Sequence, residues 1–202
     1  YDAVIDTLPL KTIQFSSEGS SDDSAQALTY QWTLSRAPVN SNARITGPTT
    51  ANPTMFLDLA DEYEVELTVY DSLGLASCNT SKVLIRAVPD EDIHVQLVWD
   101  TPEDTNHNDR FGSDVDLHFR HELGRWNNSP GDCHWMNREP DWGVRNDSSD
   151  DPSLDIDDTN GAGPENINLD NPVNNDTFVV GVNDDTFDPE NHIVVSNASC
   201  TT

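Results

Sequence analysis

Between Glu62 and Asp71 the chain alternates with a period of two. Tyr63, Val65, Leu67 and Val69 fall on one side of an extended backbone, and Glu62, Glu64, Glu66 and Thr68 on the other. A helix would scatter these eight side chains around its circumference, whereas a strand with one buried face sorts them cleanly. Asp71-Ser-Leu-Gly74 then supplies a turn, and Lys82–Val88 a closing strand. Upstream, Thr12–Phe15, Leu28–Leu34 and Thr54–Leu59 are rich in β-branched and aromatic residues, with Gly47-Pro48 and Asn52-Pro53 marking loops. Nothing in this stretch repeats at helical period. The expectation is an immunoglobulin-type β-sandwich with Trp32 as its core aromatic.

At 202 residues the chain has room for two such units. The break falls at Val88-Pro89-Asp90-Glu91-Asp92, where a proline and three carboxylates interrupt two alternating stretches. The expected domains are therefore 1–89 and 90–202. Charge divides unevenly across that break: residues 1–90 carry 12 acidic and 5 basic side chains, residues 91–202 carry 25 and 5. A formal net charge of −27 repels phosphate backbones and anionic lipid, which excludes nucleic acid and membrane surfaces as partners. No apolar run approaches the roughly 18 residues of a transmembrane helix.

The runs Tyr30-Gln-Trp-Thr-Leu34, Asn52-Pro-Thr-Met-Phe56 and Glu62-Tyr-Glu-Val-Glu-Leu-Thr-Val-Tyr-Asp-Ser-Leu-Gly74 carry a resemblance. Over residues 8–88 the chain resembles a PKD (polycystic kidney disease) domain, whose most recognisable stretch is Y-x-V-x-L-T-V-x-D-x-x-G. Trp32-Thr-Leu-Ser-Arg36 stands where the commonest form of that family has W-D-F-G-D-G. The resemblance implies an extracellular interaction or spacer module and carries over no active-site residue.

The second part opens with another alternating strand, Ile93–Trp99. In Asp114-Val-Asp-Leu-His-Phe119 the side chains of Asp114, Asp116 and His118 share one face, and Val115, Leu117 and Phe119 the other. Asp155-Ile-Asp-Asp-Thr-Asn-Gly-Ala-Gly-Pro-Glu-Asn166 then concentrates carboxylates and amides around glycines. Closely spaced oxygen ligands on a glycine-rich turn suit a hard cation such as Ca²⁺. The candidate ligands are Asp114, Asp116, Asp155, Asp157, Asp158 and Glu165, with Asn166 assisting. The EF-hand pattern fails from Asp155 and from Asp104 alike, because Gly and Glu are missing at the required places. If these groups converge, each carboxylate pair repels by roughly 3 kcal/mol at an effective dielectric near 20, and a cation is needed. If they splay into solvent, they form an ordinary acidic surface.

Val95-Gln-Leu-Val-Trp99, Asp114-Val-Asp-Leu-His118 and Leu154–Ile167 together carry a second resemblance. They are similar to a bacterial family of secreted β-domains of unknown function showing D-L-D-L-H, then D-x-D-D-T-x-G-x-G-P-E-N, then a strand like Thr177–Val182. Paired with an upstream PKD-like domain, the arrangement resembles surface proteins of myxobacteria and their relatives. It implies a second, jelly-roll-like β-sandwich and no reaction.

Other features have competing readings. His118 and His121 point to opposite faces of a strand, which disfavours a shared zinc. Cys133-His134 lacks the surroundings of a nucleophile. Cys78, Cys133 and Cys200 are instead disulfide candidates, with one thiol left over. Trp126, Trp135 and Trp142 could form a carbohydrate-binding face, or could pin a long irregular loop to the sheet. The expectation is an all-β, non-catalytic, extracellular or cell-surface structural or adhesive protein stabilised by Ca²⁺. Its partners would be a protein or glycan at the cell surface, or further copies of itself. The alternatives are a self-assembling fibre subunit using Val4–Leu10 and Ile193–Val195 as donated strands, and a carbohydrate-binding module.

Overall fold

The structure is a computed structural model, which describes every residue except 24, 25, 102, 103, 105, 107–111, 160, 174, 175, 185–192 and 200–202. Among the described residues it is all-β, with fourteen strands and no helix, so no helix is long and apolar enough to cross a membrane. The chain divides into two compact units, Tyr1–Asp90 and Glu91–Thr202.

The first unit holds β1 (Ala3–Thr7), β2 (Thr12–Gln14), β3 (Thr29–Arg36), β4 (Ile45–Thr46), β5 (Thr54–Phe56), β6 (Asp61–Tyr70) and β7 (Ser81–Ala87). One sheet runs β1-β7-β6-β3 and the other β2-β5-β4. The alternation of β6 has its expected result: Tyr63, Val65 and Leu67 are buried while the glutamates between them stay half-exposed. These residues pack with Trp32 and Ile85 against Phe15, Met55 and Leu57. Trp32 Nε1–H donates to the Thr50 carbonyl at 3.0 Å, so the core aromatic has its polar atom satisfied. The Val4–Leu10 stretch is not spare: β1 pairs in parallel with β7 from Ala3↔Val83 to Thr7↔Ala87.

Tyr63 ties β6 through its hydroxyl to the turn between β5 and β6 and, by way of Asp58, to the loop before β4. That group accepts the Leu59 N–H at 2.9 Å and lies 2.9 Å from Asp58 Oδ1. Asp58 in turn accepts Ser41 Oγ–H at 2.6 Å and the Asn42 N–H. Burial raises the phenol's pKa above its ordinary value, so the hydroxyl keeps its proton throughout the neutral range. Tyr63→Phe leaves a buried N–H unsatisfied and is expected to cost about 1–3 kcal/mol. A urea midpoint that falls at unchanged slope would show it; an unmoved midpoint would remove the hydroxyl from this role.

The second unit holds β8 (Ile93–Asp100), β9 (Val115–His121), β10 (Asp132–Cys133), β11 (Ser153–Ile156), β12 (Ala162–Leu169), β13 (Thr177–Asp184) and β14 (Ile193–Ser199). Sheet β10-β9-β13-β14 faces sheet β11-β12-β8 across a core of Leu117, Phe119 and Phe178 against Leu154, Ile167 and Leu169. The Phe119 and Phe178 rings stack at 5.0 Å.

Two expectations are corrected here. The segment Asp155–Asn166 is not a glycine-rich loop, because β11 and β12 occupy most of it as antiparallel neighbours. Gly161, Gly163 and Pro164 disguise β12, whose apolar alternation emerges only at Ile167 and Leu169. Ile193–Val195 lies in β14, which pairs with β13 inside its own sheet. Both terminal stretches are thus edge strands paired within their own units, not loose segments.

Candidate functional site

Both faces of β9 are buried, which a half-solvated acidic strand would not show. Leu117 and Phe119 face the core, yet Asp116 and His118 on the opposite face are also buried. Over His118 the segment after β9 lays the rings of Trp126 and His134, and its strand β10 pairs with β9 through Asp132↔Arg120 and Cys133↔Phe119.

At one end of this arrangement Asp116 on β9, Asp157 just after β11 and Glu165 on β12 converge, with ligand oxygens within 4.8 Å of one another. Glu165 holds a core position: it is cross-strand from Leu97, in the same row as Ile167 and Leu169. It is 0 % exposed. Its Oε2 accepts the Leu117 N–H at 2.6 Å, while its Oε1 is buried with no hydrogen-bond partner. Burial, and then the charges of Asp157 and Asp116, push the Glu165 carboxyl up to about 9, against the opposing pull of the Leu117 N–H. Three ionised carboxylates at this spacing repel by about 3 kcal/mol per pair at an effective dielectric near 20. The cluster thus demands a proton or a cation. Arg138 forms a salt bridge with one member, its Nη1 lying 3.5 Å from Asp157 Oδ2, while its other nitrogens donate to the Leu154 and Asp155 carbonyls.

The other candidate ligands stand outside this mutually close set of three. Asp155 is exposed on β11, where it accepts Ser153 Oγ–H at 2.8 Å and the Asn168 amide. Asn166 follows Glu165 along a strand and so faces the other side of the sheet. It is fully buried there, with neither amide atom hydrogen-bonded. Asp158 is half-buried and lies across Gly163, where a Cβ would sit 2.4 Å from its Oδ2. Asp114 precedes β9 and is half-buried.

A second buried polar group gathers around His118 on the face of β9 away from Leu117 and Phe119. His118 Nδ1 is 2.8 Å from Asp132 Oδ2, which also accepts the Asn127 N–H at 2.7 Å. The His134 ring stacks on His118 at 4.9 Å, and Trp126 meets the same imidazole edge-on at 5.6 Å. Burial lowers the His134 pKa, with Asp132 opposing and His118 assisting. His121 lies apart among Trp142 and Phe178, consistent with its opposite facing. The hint for this group was the adjacency of Asp132, Cys133 and His134, but nothing in their spacing tied them to His118 across fourteen residues.

The tryptophans are corrected as a sugar-binding set. Trp142 is buried, stacked parallel to Phe178 at 5.8 Å, and its Nε1–H donates to the Pro130 carbonyl. Trp126 is half-buried against Gly181, with the Arg120 guanidinium 4.3 Å above its ring. Trp135 alone remains open, at 45 %. Cys78 and Cys133 are free thiols, exposed and buried respectively, and Cys200 lies outside the described residues. Burial and the charge of Asp132 push the Cys133 thiol up to about 12, so it is no nucleophile at neutral pH.

No protein-family model matches the chain. A 43-residue stretch is 51 % identical to glyceraldehyde-3-phosphate dehydrogenase 2 of Bacillus subtilis (strain 168), covering 20 % of this chain and 13 % of that one. A stretch of the same length is 48 % identical to glyceraldehyde-3-phosphate dehydrogenase 1 of Streptomyces avermitilis, with the same coverage. The chain thus spans 13 % of the length of these curated relatives. Among solved structures it is similar to a nucleoside hydrolase-related hypothetical protein from Saccharophagus degradans that is associated with carbohydrate metabolism. That match has a TM-score of 0.37 and 18 % identity, covering 42 % of this chain and 22 % of the other. It is also similar to the PKD domain of the KIAA 1837 protein, with a TM-score of 0.35 and 22 % identity, covering 46 % and 86 % of the two chains.

Proposed function

We propose that this protein is a non-catalytic extracellular or cell-surface module, structural or adhesive in role, whose second unit is stabilised by a bound divalent cation, Ca²⁺ by preference. The observation that carries the reading is the convergence of Asp116, Asp157 and Glu165, two of them buried, around a carboxylate oxygen with no hydrogen-bond partner. Oxygen-only donors from three separate strands or their ends suit a hard cation and would stitch the two sheets together. Binding would then be coupled to folding, since the three groups meet only in the folded chain. The PKD-like motif in the first unit supports the extracellular setting, where calcium is abundant, and a spacer or adhesive role.

The test is a thermal melt in calcium, in magnesium and in chelator. At a hundredfold excess over the dissociation constant a bound ion adds about 2.7 kcal/mol. For a unit of this size that raises the melting temperature by roughly 10 °C. The expected result is a gain of that order for calcium and a smaller one for magnesium, whose octahedral demands the site does not meet with protein oxygens alone. Identical melts in calcium and chelator would overturn the reading.

A further inference from the structure

In the first unit the two sheets are unequal. β6 has ten residues and β3 eight, whereas the facing strands β2, β5 and β4 have three, three and two. The long strands overhang at the end where Tyr70 pairs with Thr29 and Leu67 with Ser81. Leu67, Val69 and Val83 there, with Leu28 and the edge of Trp32, form the apolar floor of a cleft of about 770 Å³. That volume lies within the roughly 300–1,000 Å³ of ordinary ligand sites.

The rim has one sign of charge. Asp2, Glu18, Asp22 and Asp71 line it, and among the described residues no Lys, Arg or His does. Asp71 is held in place, its Oδ1 accepting the Leu73 and Leu75 N–H groups at 2.8 Å. Serine hydroxyls from the 16–21 segment complete the wall. A low-dielectric floor below a carboxylate rim focuses negative potential into the cleft.

We infer that this cleft is a docking site for a short peptide segment of a partner protein in which basic and apolar side chains alternate. The apolar side chains would cover the overhanging floor and the basic ones would meet the rim carboxylates. This site is separate from the carboxylate cluster of the second unit, and the inference stands whether or not calcium binds there.

Cys78 provides the readout. It is an exposed free thiol on the cleft wall, and the other described thiol, Cys133, is buried and unreactive. In the full chain carrying Cys200→Ser, the rate of Cys78 modification by a neutral maleimide is measured against acetylated Arg-Leu-Arg-Leu amide. Its Glu-Leu and Arg-Gly counterparts and n-hexylamine serve as comparisons. Saturating Arg-Leu peptide is expected to slow the reaction at least about fivefold, and the exposed-rim variant Glu18→Lys to raise the peptide concentration needed for half-protection about tenfold. The comparison compounds should protect far less. The inference is overturned by absence of protection up to about 1 mM peptide, by equal protection from the Glu-Leu peptide, or by indifference to Glu18→Lys. Hexylamine protecting equally well would mean a small organic cation rather than a peptide. Protection that grows with protein concentration alone would mean a second copy of the chain.

Discussion

Trp142→Ala is expected to cost the second unit about 3–5 kcal/mol, the usual penalty for emptying a large aromatic from a core. The Trp142 ring lies parallel to Phe178, packs on Phe119 at 5.6 Å and on His121 at 4.5 Å, and bonds through Nε1–H to Pro130. Its own N–H donates to Asp151 Oδ1 at 2.6 Å. Alanine would leave a cavity among the core aromatics and loosen the irregular segment whose rings cover His118. The melting temperature of the unit should fall by well over 10 °C. Trp135→Ala is the control: 45 % exposed, it should move stability by no more than about 0.5 kcal/mol. A Trp142→Ala protein that melts normally would mean that the ring is not an anchor.

Glu165 should make the second unit's stability depend on pH in an unusual sense. Its folded pKa, about 9, is raised above the ordinary carboxyl value of 4.5. Below about 4.5 both folded and unfolded chains hold the proton, and the contribution of this group is fully present. As pH rises toward 9 the unfolded chain has released that proton and the folded chain retains it. Stability therefore falls, by up to about 1.4 kcal/mol per pH unit. Denaturant titrations in chelator between pH 5 and 8 should show this slope for the natural chain and lose it for Glu165→Gln, which copies the neutral form. Equal slopes in the two proteins would remove Glu165 from the account. The same variant should shrink the calcium-dependent gain, since it withdraws one of three anionic donors.

How much of this was legible beforehand differs between the two units. In the first, β6 announces itself because one face meets a core and the other meets water, and burial follows the alternation directly. In the second, β12 reads as a loop, since its buried row begins with a glutamate and its neighbours are glycine, proline and asparagine. The same property that made the acidic cluster recognisable, carboxylates beside glycines, hid the strand that organises it. Asp116 and Glu165 were identifiable as oxygen donors, and Asp157 with them. Their separation from Asp155 and Asn166 was not, because it turns on the irregularity between Leu154 and Ile156 and on which face of β12 meets the core. The tryptophans were ambiguous for a related reason: an exposed ring and an anchoring ring have the same one-letter pattern. What distinguishes Trp142 is Phe178, a partner from a strand far along the chain.

The parallel pairing of β1 with β7 has a mechanical consequence. The first and last strands of the first unit run side by side in the same direction, so the chain enters this ladder at one end and leaves at the other. A pull applied between those two ends acts along the strands and sets all five register pairs, Ala3↔Val83 to Thr7↔Ala87, in shear together. An antiparallel terminal pair would instead open one bond at a time from its free end. Hydrogen bonds just beyond the ladder, Asp2 N–H to the Lys82 carbonyl and Val88 N–H to the Thr7 carbonyl, extend the sheared seam at both ends. Tension drawn through this unit would therefore meet its resistance at once rather than in sequence.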